Sequence, residues 1–354
     1  MDIYRIDSQK LIYHPSRVSD WLLGKDIFPI YIEIAPFGGC NHRCIFCALD
    51  YMGYKPVALE TRILKSFIKD AAKCGVKSVM FAGEGEPLLY KDIVEIVRYT
   101  AGSKIDVALT TNGVRLLPQV SGGILPYLTW LRVSLDAASP KTYAKIHRTS
   151  PLDFERVLEN IKSAVHIKKK NSLDCTLGVQ FLLLKENYNE AVKLAGMLES
   201  IGVDYLVIKP YSQHPSSINR LKRYVDYPAW ASLEKRLNQY NCRNFQVIFR
   251  KNTMLKINEP KPYPSCLGLP FWAYLAADGN LYACSAFLGN RRFIYGNIYK
   301  QPFIKIWKGK KRKQILQMMQ GCWDIEKCRE VCRLDEINRY LWELRNPPRH
   351  VNFI

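Results

Sequence analysis

The chain has 354 residues, of which 48% are hydrophobic and 24% charged, which excludes a disordered tail or a small scaffold and allows about two globular domains. Its apolar stretches fall far short of the ~18 to 20 residues that cross a bilayer, and no export signal begins it, so we expect a cytoplasmic protein without a membrane span. The 52 Lys+Arg exceed the 32 Asp+Glu by 20, and this positive charge suits an anionic binding partner. We expect a small molecule and not a nucleic acid, because the basic runs carry no interleaved aromatic residues for base stacking.

Short apolar strands alternate with helices through the first part of the chain, after a short helix near residues 18–23. The predicted strands are residues 31–34, 78–82, 105–110, 130–135, 176–182 and 205–209, and the clearest helices are residues 60–73, 92–100, 153–169 and 189–201. This alternation indicates a parallel sheet buried on both faces, which right-handed crossovers curl towards a barrel. Since these units are too few to close an eight-stranded barrel, we predict an α/β fold with an open, partial (β/α)6 barrel whose chemistry lies at the carboxyl ends of the strands.

Three cysteines, Cys40, Cys44 and Cys47, lie in one loop directly after the first predicted strand. A tetrahedral zinc site or a filled iron-sulfur cluster uses four protein ligands, and no fourth cysteine or second paired histidine lies close by in the sequence. Three thiolates would leave one iron of a four-iron cluster open and reactive. A structural zinc knuckle is the alternative, because the chain has eleven cysteines in all.

The spacing CxxxCxxC, with the aromatic residue Phe46 before the last cysteine, resembles the signature of the radical S-adenosylmethionine (SAM) enzymes. The resemblance implies a catalytic 4Fe-4S cluster on Cys40, Cys44 and Cys47, whose open iron is chelated by the amino and carboxylate groups of SAM. An electron from the cluster then splits SAM to a 5'-deoxyadenosyl radical. The open, partial barrel is also the fold of this family.

The same resemblance implies the SAM-binding residues at the ends of the following strands. The run Gly83-Glu84-Gly85-Glu86-Pro87 is similar to the family's GGEP motif, in which the glutamate holds the amino group of SAM. The full set implied by the resemblance is Phe46, Gly83, Gly85, Glu86, Thr111, Asn112, Ser134, Asp136, Arg148 and Lys209. Arg148 would pair with the SAM carboxylate, and Lys209 would lie near adenine or substrate. Turn-forming or capping roles for Thr111, Asn112 and Asp136, and a surface position for Lys209, are the alternatives.

Five further cysteines, Cys266, Cys284, Cys322, Cys328 and Cys332, lie in the C-terminal third. A GxxxxC element ending at Cys284 and the later CxxxxxCxxxC resemble the SPASM and twitch extensions of radical SAM enzymes, which bind additional iron-sulfur clusters. The pattern is reduced, because Met319 stands where a full SPASM motif has another cysteine. We predict one auxiliary 4Fe-4S cluster on Cys266, Cys284 and two of the other three, with a zinc ribbon as the alternative.

The predicted parts are an N-terminal extension (residues 1–30), the barrel (31–212), a linker helix and strand (213–260) and the SPASM/twitch-like domain (261–354). An auxiliary cluster that accepts a second electron permits net oxidation in this family, and only 39 residues precede Cys40, which is short for the leader-binding domain of many peptide maturases. We therefore predict a small-molecule oxidoreductase that acts on a sugar, a nucleotide-linked molecule or an antibiotic-pathway intermediate, with flavodoxin or ferredoxin as electron donor. The alternatives are a cross-linking or epimerising peptide maturase, an iron-sulfur electron carrier and a zinc-stabilised nucleic-acid binder.

Overall fold

The structure, a computed structural model, describes residues 3–221 and 227–353. Residues 1–2, 222–226 and 354, which fall in the predicted extension, linker and C-terminal domain, lie outside the described residues. The strands are β1 (Tyr31–Ile34), β2 (Ser78–Phe81), β3 (Asp106–Thr111), β4 (Trp130–Ser134), β5 (Thr176–Leu183), β6 (Tyr205–Pro210), β7 (Gln246–Phe249), β8 (Trp272–Leu275), β9 (Asn280–Tyr282) and β10 (Ile294–Asn297). Within the described residues they form one sheet in the order β10-β9-β8-β1-β2-β3-β4-β5-β6-β7.

Helices follow most strands in the first half of the chain, and in the second half two helices flank the last three cysteines in the sequence. They are α1 (Pro15–Leu22), α2 (Thr61–Lys73), α3 (Ile93–Gly102), α4 (Pro118–Ile124), α5 (Pro140–His147), α6 (Leu152–Lys170), α7 (Ala191–Ile201), α8 (Tyr227–Asn238), α9 (Lys251–Leu255), α10 (Phe303–Trp307), α11 (Lys310–Gly321) and α12 (Asp335–Arg345). No helix in the described ranges is long and apolar enough to cross a membrane.

The strands from β1 to β7 are parallel, and all six predicted strands are present within one or two residues of their expected ends. On β4 the residues alternate between two faces, since Leu131 and Val133 are buried against the helices while Arg132 and Ser134 are half-buried on the inner face. The main hydrophobic core lies between the outer face of the sheet and the helices. The predicted α/β fold of the partial-barrel type is confirmed.

The sheet continues beyond the six predicted strands at both ends. β7, from the predicted linker, pairs in parallel with β6, and β8, from the predicted C-terminal domain, pairs in parallel with β1. β8 and β9 then form an antiparallel hairpin, in which Gly279 adopts a positive φ of 82° that favours glycine. One continuous sheet therefore crosses the boundaries between the predicted parts and joins the C-terminal cysteines to the barrel.

Candidate functional site

The loop that follows β1 brings Cys40, Cys44 and Cys47 together. Burial raises the pKa of the Cys40 thiol to about 11, and Glu86 and Cys47 add to the effect. Burial raises the pKa of Cys44 well above its ordinary value, and the other two thiols raise it further. Because thiolates that lie this close disfavour one another's charged form, a bound cationic group would stabilise the set.

The glycines of the Gly83–Pro87 run allow this segment to pack directly on the cysteine loop. The N–H of Glu86 donates to the carbonyl of Gly39 at 2.9 Å. A Cβ on Gly85 would collide with the carbonyl oxygens of Phe37 and Gly39, and one on Gly83 would lie 2.6 Å from the Tyr274 hydroxyl. The motif therefore needs glycine at both positions, at 85 because of close backbone approach and at 83 because of its positive φ of 125° and its contacts with Ala35 and Tyr274.

Glu86 connects the cysteine loop to the end of β3. Its carboxylate accepts hydrogen bonds from the Thr111 hydroxyl at 2.6 Å, the Asn112 N–H at 2.8 Å and the Leu88 N–H at 3.0 Å. The Asn112 amide in turn donates to Asn41 Oδ1, inside the cysteine loop, at 2.7 Å. The structure thus brings together three predicted site residues, although the Thr111 hydroxyl and one Glu86 oxygen bond to each other.

A buried histidine that we did not predict, His147, lies beside the cysteine loop. Its Nδ1 is 3.2 Å from Cys44 Sγ, and its Nε2 is 3.5 Å from Asp136 Oδ2. Together with His42, these side chains form a tight group, since the ligand atoms of His42, Cys44 and His147 all lie within 4.8 Å of one another. The only sequence signal for His147 was its place next to Arg148 in the run Lys145-Ile146-His147-Arg148.

Two predicted SAM contacts are placed differently from expectation. Asp136 is fully buried, its Oδ1 accepts from the Leu182 N–H at 2.5 Å, and its other oxygen faces His147 instead of an open site. Burial raises the pKa of Asp136 to about 7. Arg148 is exposed at the end of α5 with a left-handed φ of 47°, so the structure does not place it at the site. The register of the helix end turns His147 inward and Arg148 outward.

The other predicted residues lie on the inner face of the sheet or against His147. The Phe46 ring packs edge-on against the His147 ring with centroids 5.6 Å apart. Ser134 and Lys209 are half-buried at the ends of β4 and β6, so the surface interpretation of Lys209 is not supported. Burial holds the pKa of Lys209 well below its ordinary value, and Arg132, Arg250 and Arg329 add to this effect.

Asp50, which we did not predict, fixes the loop after β6 over the cysteine loop. Its carboxylate accepts from the N–H groups of Ile218 and Asn219 at 2.8 and 2.7 Å. The Ser217 hydroxyl lies 2.9 Å from Asp50 Oδ1 and 3.0 Å from the carbonyl oxygen of Cys47. Its partners are about 170 residues away in the sequence, so the local pattern could not indicate this role.

A second group of thiols converges where the C-terminal segment meets the hairpin. Burial raises the pKa of Cys284 well above its ordinary value, and negative charge on Cys332, Cys266 and Cys328 would raise it further. Burial likewise raises the pKa of Cys332, to which charge on Cys266 and Cys328 would add. Cys322, one of the predicted candidates, is exposed at the end of α11, and its Sγ donates to the carbonyl of Met318 at 3.6 Å. Of the three later cysteines we propose Cys328 and Cys332 as ligands, because Cys322 is exposed.

Residues beside these thiols dock the C-terminal segment on the barrel. Arg329 donates to the carbonyl of Ser212, just after β6, at 2.8 Å. Arg333 forms an ion pair with the buried Glu33 of β1. The second thiol group therefore lies against the carboxyl-terminal side of the barrel strands, on the same side as the first.

Two family profiles match this arrangement of two thiol groups on one sheet. The radical SAM superfamily matches residues 34–198, and the SPASM iron-sulfur cluster-binding domain matches residues 266–333. The chain belongs to the radical SAM superfamily. As a radical SAM enzyme with a SPASM domain, it uses a 4Fe-4S cluster with SAM and also binds auxiliary iron-sulfur. The first thiol group fits the SAM-binding cluster, and the second fits an auxiliary cluster.

Among curated relatives, the radical SAM enzyme is similar to proteins named probable GTP 3',8-cyclase. The protein from Saccharolobus solfataricus is 29% identical over 260 residues, which cover 69% of this chain and 79% of the relative. The protein from Metallosphaera sedula is 28% identical over 264 residues, which cover 69% of this chain and 77% of the relative.

Among solved structures, the enzyme is similar to Streptococcus suis SuiB bound to S-adenosylmethionine, with a TM-score of 0.67 and 19% identity over 88% of this chain and 72% of SuiB. It is also similar to anSMEcpe with bound AdoMet, with a TM-score of 0.57 and 16% identity over 88% of this chain and 85% of that chain. At these identities the likeness shows the fold alone.

Proposed function

We propose that this radical SAM enzyme oxidises a small anionic molecule that binds inside the barrel. The observation that carries the proposal is a set of basic side chains on and above its inner face, formed by Lys209, Arg132 and Arg329. Lys209 lies near the carboxyl end of β6, and Arg329 reaches that end from the C-terminal segment through its bond to Ser212. Arg132 lies deeper in the barrel on β4, level with Tyr205 near the amino end of β6.

Within residues 3–221 and 227–353, one carboxylate, Asp136, raises the pKa of Lys209, whereas three arginines lower it. Arg132 is held in place by a bond from its Nε to the Tyr205 hydroxyl at 3.0 Å and by the Trp130 ring 4.7 Å away. A phosphate or carboxylate of the substrate would complete the group by forming charge-assisted hydrogen bonds.

The named relatives agree with an anionic substrate. The curated relatives carry the name of an enzyme that acts on GTP, a phosphorylated nucleoside. The solved neighbours include SuiB bound to a precursor peptide, but that likeness is one of fold at 19% identity. The peptide maturase alternative therefore has weaker support than a phosphorylated or otherwise anionic small molecule.

The second thiol group favours oxidation. Four cysteines, Cys266, Cys284, Cys328 and Cys332, would saturate one auxiliary 4Fe-4S cluster, which suits electron transfer and leaves no iron for a substrate. When bound, SAM and its cluster would supply the radical that removes a hydrogen atom. In the proposed oxidation the substrate would give that hydrogen atom to the 5'-deoxyadenosyl radical and a proton to water, and a cluster on the second thiol group would accept the remaining electron. An external donor such as flavodoxin or ferredoxin would supply the reducing electron for SAM cleavage.

The test is deuterium transfer into 5'-deoxyadenosine from two panels of labelled compounds. One panel contains nucleotides and sugar phosphates, and the other contains the matching neutral nucleosides and sugars together with short peptides. Transfer from the anionic panel, with an oxidised product, is expected. Transfer from neutral compounds or peptides alone would overturn the proposal.

A matched pair of variants locates the binding group. Lys209→Met removes the inner amine at nearly constant length and should raise KM for the anionic substrate about 10- to 100-fold, because a bound anion would favour the protonated amine and a charged hydrogen bond contributes about 1.5 to 3 kcal/mol. Lys305→Met removes an exposed lysine of α10 and should leave KM unchanged. An unchanged KM in Lys209→Met would place the anion elsewhere.

A further inference from the structure

In the radical SAM cysteine loop, the sulfur of Cys44 has a buried side-chain partner, His147. We propose that His147 donates a hydrogen bond from Nδ1 to the sulfur of cluster-bound Cys44, is held in that orientation by Asp136, and thereby raises the reduction potential of the SAM-binding cluster. His147 is thus a positioning residue that acts through a ligand. The inference rests on the iron-sulfur chemistry of the family and not on the substrate proposal.

The direction of the hydrogen bond follows from the chemistry of the two atoms. The Nδ1 of His147 lies 3.2 Å from Cys44 Sγ, within hydrogen-bonding reach for sulfur. A cysteine that ligates iron is a thiolate and has no proton to give. The imidazole must therefore be the donor, and Nδ1 must carry its proton whenever the cluster is bound.

Packing fixes the ring in this orientation. His147 is 1% exposed, and its ring lies against Tyr143, with centroids 4.2 Å apart, and against Phe46, with centroids 5.6 Å apart. At the far side of the ring, Nε2 lies 3.5 Å from Asp136 Oδ2. Asp136 is held in turn, because its Oδ1 accepts from the Leu182 N–H and its carbonyl accepts from the Asn187 amide at 2.9 Å.

These enclosed groups have no alternative partners in the described structure. Oδ2 of Asp136 and Nε2 of His147 are both buried and, within residues 3–221 and 227–353, have no hydrogen-bond partner, although they face each other at 3.5 Å. With the proton on Nδ1, Nε2 of the neutral ring is an acceptor, so a hydrogen bond between the two atoms needs the proton on Asp136 Oδ2. A protonated Asp136 that donates to Nε2 would keep the N–H of Nδ1 directed at the sulfur of Cys44.

The consequence is electrostatic. Reduction adds one negative charge to the cluster and its thiolates, so a donated N–H stabilises the reduced state more than the oxidised state. Burial strengthens the effect because water is excluded from the pair. A higher potential makes the reducing electron easier to load before SAM is cleaved.

The test is a redox titration of the holoenzyme followed by electron paramagnetic resonance. The signal of the SAM-binding cluster is identified by its change when SAM is added, and the auxiliary signal serves as an internal reference. In His147→Phe, which keeps an aromatic ring but removes the donor, the ratio of reduced to oxidised cluster at a fixed potential should fall about tenfold, equal to about 59 mV for one electron. His147→Asn, which keeps an N–H near the position of Nδ1, should restore much of this ratio.

The control is His166→Phe, which changes an exposed histidine of α6 and should alter neither potential. An unchanged potential of the SAM-binding cluster in His147→Phe, at full iron content, would overturn the proposal. If His147→Phe fails to assemble the cluster, pulsed resonance on protein that contains 15N-labelled histidine decides instead. The proposal expects a weak 15N coupling that is lost in His147→Asn and kept in His42→Asn, and its absence from the wild-type protein would overturn it.

Discussion

Arg333 and Glu33 form an ion pair between the C-terminal segment and the first strand of the barrel. Arg333 directly follows Cys332, and Glu33 lies in β1, which leads into the loop of Cys40. This ion pair and the pairing of β1 with β8 therefore connect the segments that carry the two cysteine groups of this radical SAM enzyme.

Glu33→Gln should lower the melting temperature by a few degrees. Removing one partner of a buried pair costs about 3 to 5 kcal/mol, but Arg333 is partly exposed and can turn to water, so we expect about 1 to 2 kcal/mol. Glu326→Gln, which changes a well-exposed partner of Lys261, is the matched control and should have little effect. Equal shifts in the two variants would show that the Glu33 pair adds nothing to stability.

Cys44→Ala should remove about four irons per chain and abolish 5'-deoxyadenosine formation, because the cluster loses one of three protein ligands. Iron analysis of anaerobically purified protein and chromatography of the reaction with SAM and a reductant measure both effects. Cys74→Ala changes a half-buried cysteine at the end of α2 and should alter neither. Full cofactor cleavage by Cys44→Ala would contradict the assigned ligands.

Cys328→Ala and Cys322→Ala should differ sharply, although the two cysteines are six positions apart. Cys328 belongs to the converging group and Cys322 is exposed, so the first change should remove about four irons and the second none. In Cys328→Ala, turnover of the true substrate should fall much more than cofactor cleavage, as for Cys284→Ala. Loss of iron in Cys322→Ala would show that the auxiliary ligands were chosen wrongly.

Gly85→Ala should displace the cysteine loop, because the new methyl group would meet the carbonyl oxygens of Phe37 and Gly39. We expect a loss of 5'-deoxyadenosine formation of at least about tenfold and a lower melting temperature, with a cost of about 1 to 3 kcal/mol as for other overpacked sites. Gly122→Ala, on an open face of α4, should instead be neutral or slightly stabilising. A fully active Gly85→Ala enzyme would refute the close-packing argument.

Local patterns in the sequence predicted the strands and the first cysteine group well. The strand around Ile32 and Ile34 and the cysteine spacing after it depend on neighbours within a few residues, so apolar runs and spacing were sufficient. The glycines at 83 and 85 were also predictable, because a glycine-rich turn after a strand indicates close backbone approach.

Features that depend on distant partners were not predictable in this way. The role of Asp50 depends on Asn219, and that of His147 depends on Cys44, 103 positions away. Arg148 was predicted because a guanidinium group suits a carboxylate, but the end of α5 turns Arg148 to solvent and His147 inward. The choice among Cys322, Cys328 and Cys332 likewise required the fold, since all three have suitable spacing.

The parallel pairing of β1 with β8 has a consequence for anyone who wishes to cut or recombine this enzyme. A fragment that ends before residue 272 would leave the edge of β1 with unsatisfied backbone N–H and C=O groups beside the buried Ile32 and Ile34. Such an exposed edge promotes self-association of the fragment. The radical SAM domain and the SPASM domain therefore cannot be exchanged separately with those of a homologue unless the partner strand is exchanged as well.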